Sequence, residues 1–131
     1  MLMPRPLLLL LFGLLAGCGS DHEEKVFEEA QSPDGAWLAQ GVDEHNFGPG
    51  NAAHFIRVTL AGTGKAVLNG GPQDILILEP DAAAEPYPGH PENHLKLRWQ
   101  SPARLLLTYR KATADFVVAR IAGVDVIAEA R

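Results

Sequence analysis

Ala53-His54-Phe55-Ile56-Arg57-Val58-Thr59-Leu60 decides the class of fold. Ile56, Val58 and Leu60 alternate with Phe55, Arg57 and Thr59, the two-residue period of a strand with one buried face. β-branched and aromatic residues dominate the stretch, and they suit a pleated surface. The pattern recurs on both sides. Over residues 36–42, Trp37 and Ala39 point one way, and Leu38, Gln40 and Val42 the other. Ile75 to Leu78 is a short apolar run. Leu95, Leu97 and Trp99 alternate with Lys96, Arg98 and Gln100, and Leu105 to Tyr109 runs back. Residues 115–121 and 124–128 read as two further strands about Ala122-Gly123. No stretch after residue 31 carries a helical period. The fold expected is mainly β: a small antiparallel meander sheet, a sandwich or a partly open barrel.

The turns fit that plan. In Ser32-Pro33-Asp34-Gly35, proline presets the first central residue and Asp-Gly completes the reversal. Ala61-Gly62-Thr63-Gly64 predicts a short hairpin, with Lys65 to Leu68 returning as a strand that Asn69-Gly70-Gly71-Pro72 stops. Asp43 to Asn51, with Gly48, Pro49 and Gly50, reads as a loop. Pro80 to Pro91 also holds Pro86 and Pro88 and reads as a long extended loop.

Ahead of the β domain lies a different kind of sequence. Arg5 precedes Leu7 to Leu15, an almost pure leucine run broken by Phe12 and Gly13. The run is too short to span a ~30 Å hydrocarbon core as a helix, and it has the parts of a secretory signal. The domain organisation expected is a signal peptide over 1–17, a tether over 18–31 and a single β domain over 32–131. In the tether, Ser20-Asp21-His22-Glu23 has capping-box spacing, and Glu23, Glu24, Glu28 and Glu29 crowd a short helix-prone segment. So short a helix is marginal in water, and the segment is expected to be a loose acidic spacer.

Leu15-Ala16-Gly17-Cys18 ends the leader, and Cys18 is the single cysteine of the chain. These four residues resemble the lipobox of bacterial lipoproteins. The resemblance implies cleavage before Cys18, a thioether-linked diacylglycerol on its sulfur and an acyl chain on its new amino group. Two or three chains make a stable anchor, whereas one makes a reversible one. A lone cysteine in an exported protein also has no partner for an internal disulfide. In Gram-negative lipoproteins an aspartate after the cysteine commonly retains the protein in the inner membrane. Gly19 stands there instead, which implies the periplasmic face of the outer membrane.

The chain of 131 residues has a formal charge of −5. Loss of residues 1–17 removes Arg5 and leaves 10 Lys and Arg against 16 Asp and Glu, a charge of −6 over 114 residues. One small domain of that length is near the size at which a core is self-sufficient. From this composition no basic patch is expected that would draw nucleic acid or anionic headgroups. The partners expected are the membrane, through lipid on Cys18, and a periplasmic protein, with no nucleic acid.

Gln31-Ser32-Pro33 recurs as Gln100-Ser101-Pro102, each just before a strand. Residues 32–68 resemble one blade of a TolB-type β-propeller: Ser-Pro-Asp-Gly opens a strand, Ile56-Arg57-Val58 forms the next, and Gly64-Lys65 with Val67-Leu68 forms a third. The mature chain is too short to close a propeller. Ser32 to Gly35, Leu97 to Trp99, Leu105 to Tyr109 and Gly123 to Val126 are also similar to small bacterial β-rich lipoproteins, a group that implies no established activity.

Candidate chemistry is sparse. Ser20, Ser32 and Ser101 have no nucleophile-elbow context. No phosphate-binding glycine loop appears, and no cofactor is expected. His45, His54, His90 and His94 are candidate metal ligands, with Asp43 and Glu44 beside His45; solvated loop histidines are the alternative. Pro86-Tyr87-Pro88 is a candidate docking segment or a cover for a sheet edge. Trp37 and Trp99 are expected in the core. The function expected is a non-catalytic binding or structural role at the envelope. The alternatives are a metal-binding periplasmic protein or enzyme, and an inhibitor or immunity-type lipoprotein.

Overall fold

The central strands follow the apolar alternation in this computed structural model, which describes residues 22–47, 53–80, 90–110 and 112–131. Among these residues the strands are β1 (His22–Gln31), β2 (Trp37–Asn46), β3 (Ala53–Gly62), β4 (Gln73–Pro80), β5 (Leu95–Ser101), β6 (Arg104–Tyr109), β7 (Ala112–Val117), β8 (Arg120–Ile121) and β9 (Val124–Ala130). They form a five-stranded antiparallel sheet, β1-β2-β3-β4-β7, and a four-stranded sheet, β5-β6-β9-β8. The mainly β expectation is met, as two facing sheets and not a closed barrel.

The core lies between the sheets. Ile56, Val58 and Leu60 are fully buried, as the alternation of β3 requires. They meet Ala39 and Trp37 of β2, the run Ile75, Leu76 and Leu78 of β4, and Leu95, Leu105, Leu107, Val124 and Val126 of the second sheet. Trp99 is partly buried against the same cluster, so both tryptophans serve packing.

One side of the sandwich is joined by the chain itself. Between β7 and β8, the Val118 N–H donates to Ile75 O on β4 at 2.9 Å, and the Val126 N–H of β9 donates to Ala119 O at 2.9 Å. Successive residues thus belong to different sheets. On the other side β1 and β5 lie edge to edge without a backbone ladder. The Leu97 N–H donates to Glu28 Oε1 at 3.1 Å, and the Trp99 indole N–H donates to Ala30 O at 2.9 Å.

Several expectations are corrected. Residues 22–31 are not a loose spacer or a helix but a strand. β1 pairs with β2 along its length, with Val26 opposite Val42 and a bulge before Glu28. Phe27 sits in that bulge and packs where a side chain on Gly41 would stand. Pairing with a neighbouring strand overrides the weak helical preference of glutamates. Residues 43–46 are strand and not loop, since β2 continues to Asn46 opposite Ala53. Residues 63–72 hold no strand, so the predicted hairpin with Lys65 to Leu68 is absent. Instead Ala66 lies against Gly62, and Leu68 is buried in the core. One pair is parallel: β6 runs with β9. Pro91–Asn93 forms one 3-10 turn.

Charge is sorted between the sheets. Strand alternation puts Lys96, Arg98, Arg104 and Arg110 on the outer face of the second sheet, joined there by Arg120 and Arg131, and all six are exposed. This overturns the expectation that no basic patch remains; net composition averages over faces, and topology does not.

The repeated Gln-Ser-Pro segments occupy equivalent places, one between β1 and β2 and one between β5 and β6. Ser32 makes its turn rigid. Its hydroxyl accepts the Trp37 N–H at 3.0 Å and donates to Asp34 Oδ1 at 2.6 Å.

Candidate functional site

Polar side chains gather on the outer face of the first sheet, at its open end. Arg57 projects there because Ile56 and Val58 on either side of it face the core. Its guanidinium meets three carboxylates from three strands. Nη2 donates to Glu24 Oε1 at 2.7 Å, Nε lies 2.8 Å from Glu44 Oε2, and Nη1 donates to Asp74 Oδ1 at 3.1 Å. The register explains the convergence: Glu24 is opposite Glu44 and Arg57 opposite Val42, so β1, β2 and β3 present one polar face.

His22 completes the group. Its Nε2 lies 3.1 Å from Glu24 Oε1 and 3.4 Å from Glu44 Oε1. The other ring nitrogen, Nδ1, donates to the Asn46 side-chain carbonyl. The bond to Asn46, and then that to Glu24, raise the His22 pKa above its ordinary value. Glu24 is lowered, first by His22 and then by the Arg57 charge. For Arg57, partial burial works against the charge, but Glu44, Asp74 and Glu24 outweigh it and hold the guanidinium protonated.

His22, Glu24 and Glu44 bring three ligand atoms within 4.8 Å of one another. That distance suits a small cation, but Arg57 already engages both glutamates. The arrangement as it stands is an ion-pair network in which Arg57 and His22 are shared among three carboxylates, so the cluster stays net acidic.

A second polar group lies on the inner side of the same sheet end. His45 and His54 are opposite each other on β2 and β3, with ring centroids 5.8 Å apart. His54 Nε2 is bonded to Asp43 Oδ1, and Phe47 packs edge-on against His45. Two of the four candidate histidines are therefore brought together. The other two are elsewhere. His90 is exposed beside Glu92. His94, at the start of β5, is buried and its Nδ1 donates to Arg110 O at 3.0 Å, which is structural work. Leu15, Ala16, Gly17, Cys18 and the Pro86-Tyr87-Pro88 segment lie outside the described residues.

Sequence reasoning missed the Arg57 network. The signal was present as two polar pairs at strand spacing, His22 with Glu24 and Glu44 with Asn46, in segments read as spacer and loop.

Two clefts are small. One, lined by Lys96, Thr108, Arg110 and Arg131, has a volume of about 110 Å³. The other, at Ala61, Ala66 and Val67, has about 170 Å³. Both fall below the ~300–1,000 Å³ of small-molecule sites.

No protein-family model, no curated protein and no solved structure matches this chain.

Proposed function

We propose that this chain is a lipid-anchored protein of the bacterial cell envelope. It is exported, cut before Cys18, acylated there and held at the outer membrane facing the periplasm, with a binding or structural role and not a catalytic one. The observation that carries the reading is Leu15-Ala16-Gly17-Cys18 after a leucine-rich leader, with that cysteine the single one in the chain. The β body supports it. The carboxylates of its outer ionic cluster are engaged by Arg57, and the clefts described above are too small for an enclosed substrate.

Mass spectrometry of the processed amino terminus tests the anchor. A diacylglyceryl and acyl mass on Cys18 is expected, together with loss of membrane association in Cys18→Ala. An unmodified thiol overturns the reading.

The meeting of His45 and His54 beside Asp43 favours a second reading, a metal-binding periplasmic protein. Elemental analysis of the purified protein decides it: zinc or copper at one equivalent supports it, and its absence removes it.

A further inference from the structure

We infer that the outer face of the second sheet is an electrostatic docking face for anionic phospholipid headgroups. The inference deepens the anchored reading, because it takes the bilayer that the lipid is proposed to enter as the occupant.

The face is built in rows by the strand register. One row runs Lys96, Thr108, Glu129; the next runs Arg98, Leu106, Ile127; the third runs Arg104, Asp125, Arg120. Arg110 and Arg131 extend it at one end, and with Lys96 and Thr108 they line a shallow cleft. Six cations stand against two carboxylates, Asp125 and Glu129, a local formal charge of +4 in a chain whose total is −5. Arg120 is 3.5 Å from Asp125, and Arg131 donates to the Thr108 hydroxyl at 3.2 Å. Lys96, Arg98, Arg104 and Arg110 have no carboxylate partner among the described residues. Solvated basic side chains held on a sheet are the usual means of attracting an anionic surface within a Debye length.

Three features favour a bilayer over a nucleic acid. The face is a sheet surface and not a groove. By strand alternation none of its described side chains is aromatic, so bases would find no stacking platform. Its centre is the aliphatic pair Leu106 and Ile127, rimmed by cations, the amphipathic pattern of a membrane interface. The opposite outer face carries Glu24, Glu29, Glu44 and Asp74 against Arg57, so the molecule is electrically polar, with the acidic side turned away from an anionic bilayer.

The lysines supply the test. The full chain, processed in cells and purified in detergent, is reconstituted with vesicles of phosphatidylcholine alone or with about 30% phosphatidylglycerol. Acetylation rates are read by mass spectrometry at Lys96, with the exposed Lys25 and Lys65 of the first half as internal references. On anionic vesicles Lys96 is expected to slow by at least about threefold relative to Lys65. The effect should vanish in about 0.5 M salt, in neutral vesicles and in R98E/R104E. An unchanged Lys96 rate on anionic vesicles overturns the inference. So does a Lys96 that single-stranded oligonucleotide protects and anionic vesicles do not. Flotation with neutral vesicles reads the lipid anchor separately. A chain that fails to float there but still shows Lys96 protection on anionic lipid loses its anchor and keeps its docking face.

Discussion

The indole N–H of Trp99 donates to the main-chain carbonyl of Ala30 at 2.9 Å, tying the edge of one sheet to the edge of the other. Beside it the Glu28 carboxylate accepts the Leu97 N–H, so two side-chain bonds replace a ladder between β1 and β5. Trp99→Phe keeps most of the packing and removes one bond. It is expected to cost about 1–2 kcal/mol, read as a lower urea midpoint with an unchanged slope. Glu28→Ala should cost a similar amount. The double variant should fall short of the sum, because both act on one seam. Full additivity would show that the bonds do not share an element.

The Ser32 hydroxyl accepts the Trp37 N–H and donates to Asp34, while Asp34 also accepts the Ala36 N–H at 3.1 Å. Ser32 is only 4% exposed, so Ser32→Ala leaves a buried donor unmet and is expected to cost about 1–3 kcal/mol. The matching Ser101 is partly exposed, and its hydroxyl accepts a longer bond of 3.3 Å from the Ala103 N–H. Ser101→Ala should therefore cost less than Ser32→Ala. Equal costs in chemical denaturation would remove the special role of the first turn.

Strands with one buried face were legible because the period of two is local. Ile56, Val58 and Leu60 announce β3 without any partner. β1 was not legible, since most of its side chains are exposed and glutamate-rich, and its strand character comes from pairing with β2. The parallel β6–β9 pair was hidden for the same reason: the partner is not the next strand along the chain. At the candidate sites, His45 and His54 could be named from residue type. Arg57 could be placed on a polar face, but its carboxylates come from β1, β2 and β4. Lys96 and Arg98 were already on the polar side of their strand. Only the pairing of β6, β9 and β8 adds Arg104, Arg120 and Arg131 to them.

The acid and base limbs of stability follow from opposite shifts. The Ser32 hydroxyl, and then the Ala36 N–H, lower the Asp34 pKa; His22, and then Arg57, lower that of Glu24. Their contribution is present above the ordinary values of 3.8 and 4.5 and is lost as pH falls through the lowered ones. His22 is raised, so its contribution is present below 6.5 and is lost as pH rises through the raised value. The combined contribution of these three groups is thus fully present on the acid side of neutrality, between those limits. An NMR titration of His22 is expected to have a midpoint above 6.5, moving down in Asn46→Ala and in Glu24→Gln. A midpoint that ignores Asn46 would show that the side-chain bond does not hold the charged ring.

Ala122 has φ +50° and is followed by Gly123 at φ +80°, in the two-residue turn between β8 and β9. Both central residues therefore sit in the left-handed region, as a type I′ hairpin requires. Glycine meets that demand without strain, but an alanine Cβ crowds the carbonyl and costs roughly 1–2 kcal/mol in this conformation. Asparagine tolerates it better and gives Asn-Gly, the preferred pair for this turn. Ala122→Asn is therefore expected to stabilise the protein by about 0.5–1 kcal/mol, raising the thermal midpoint by a few degrees in a domain of this size. Ala122→Gly should gain less, because glycine also loosens the unfolded chain. The gain should appear mainly as slower unfolding if the β8–β9 hairpin closes late in folding. A loss of stability in both variants would mean that the turn does not hold the left-handed pair.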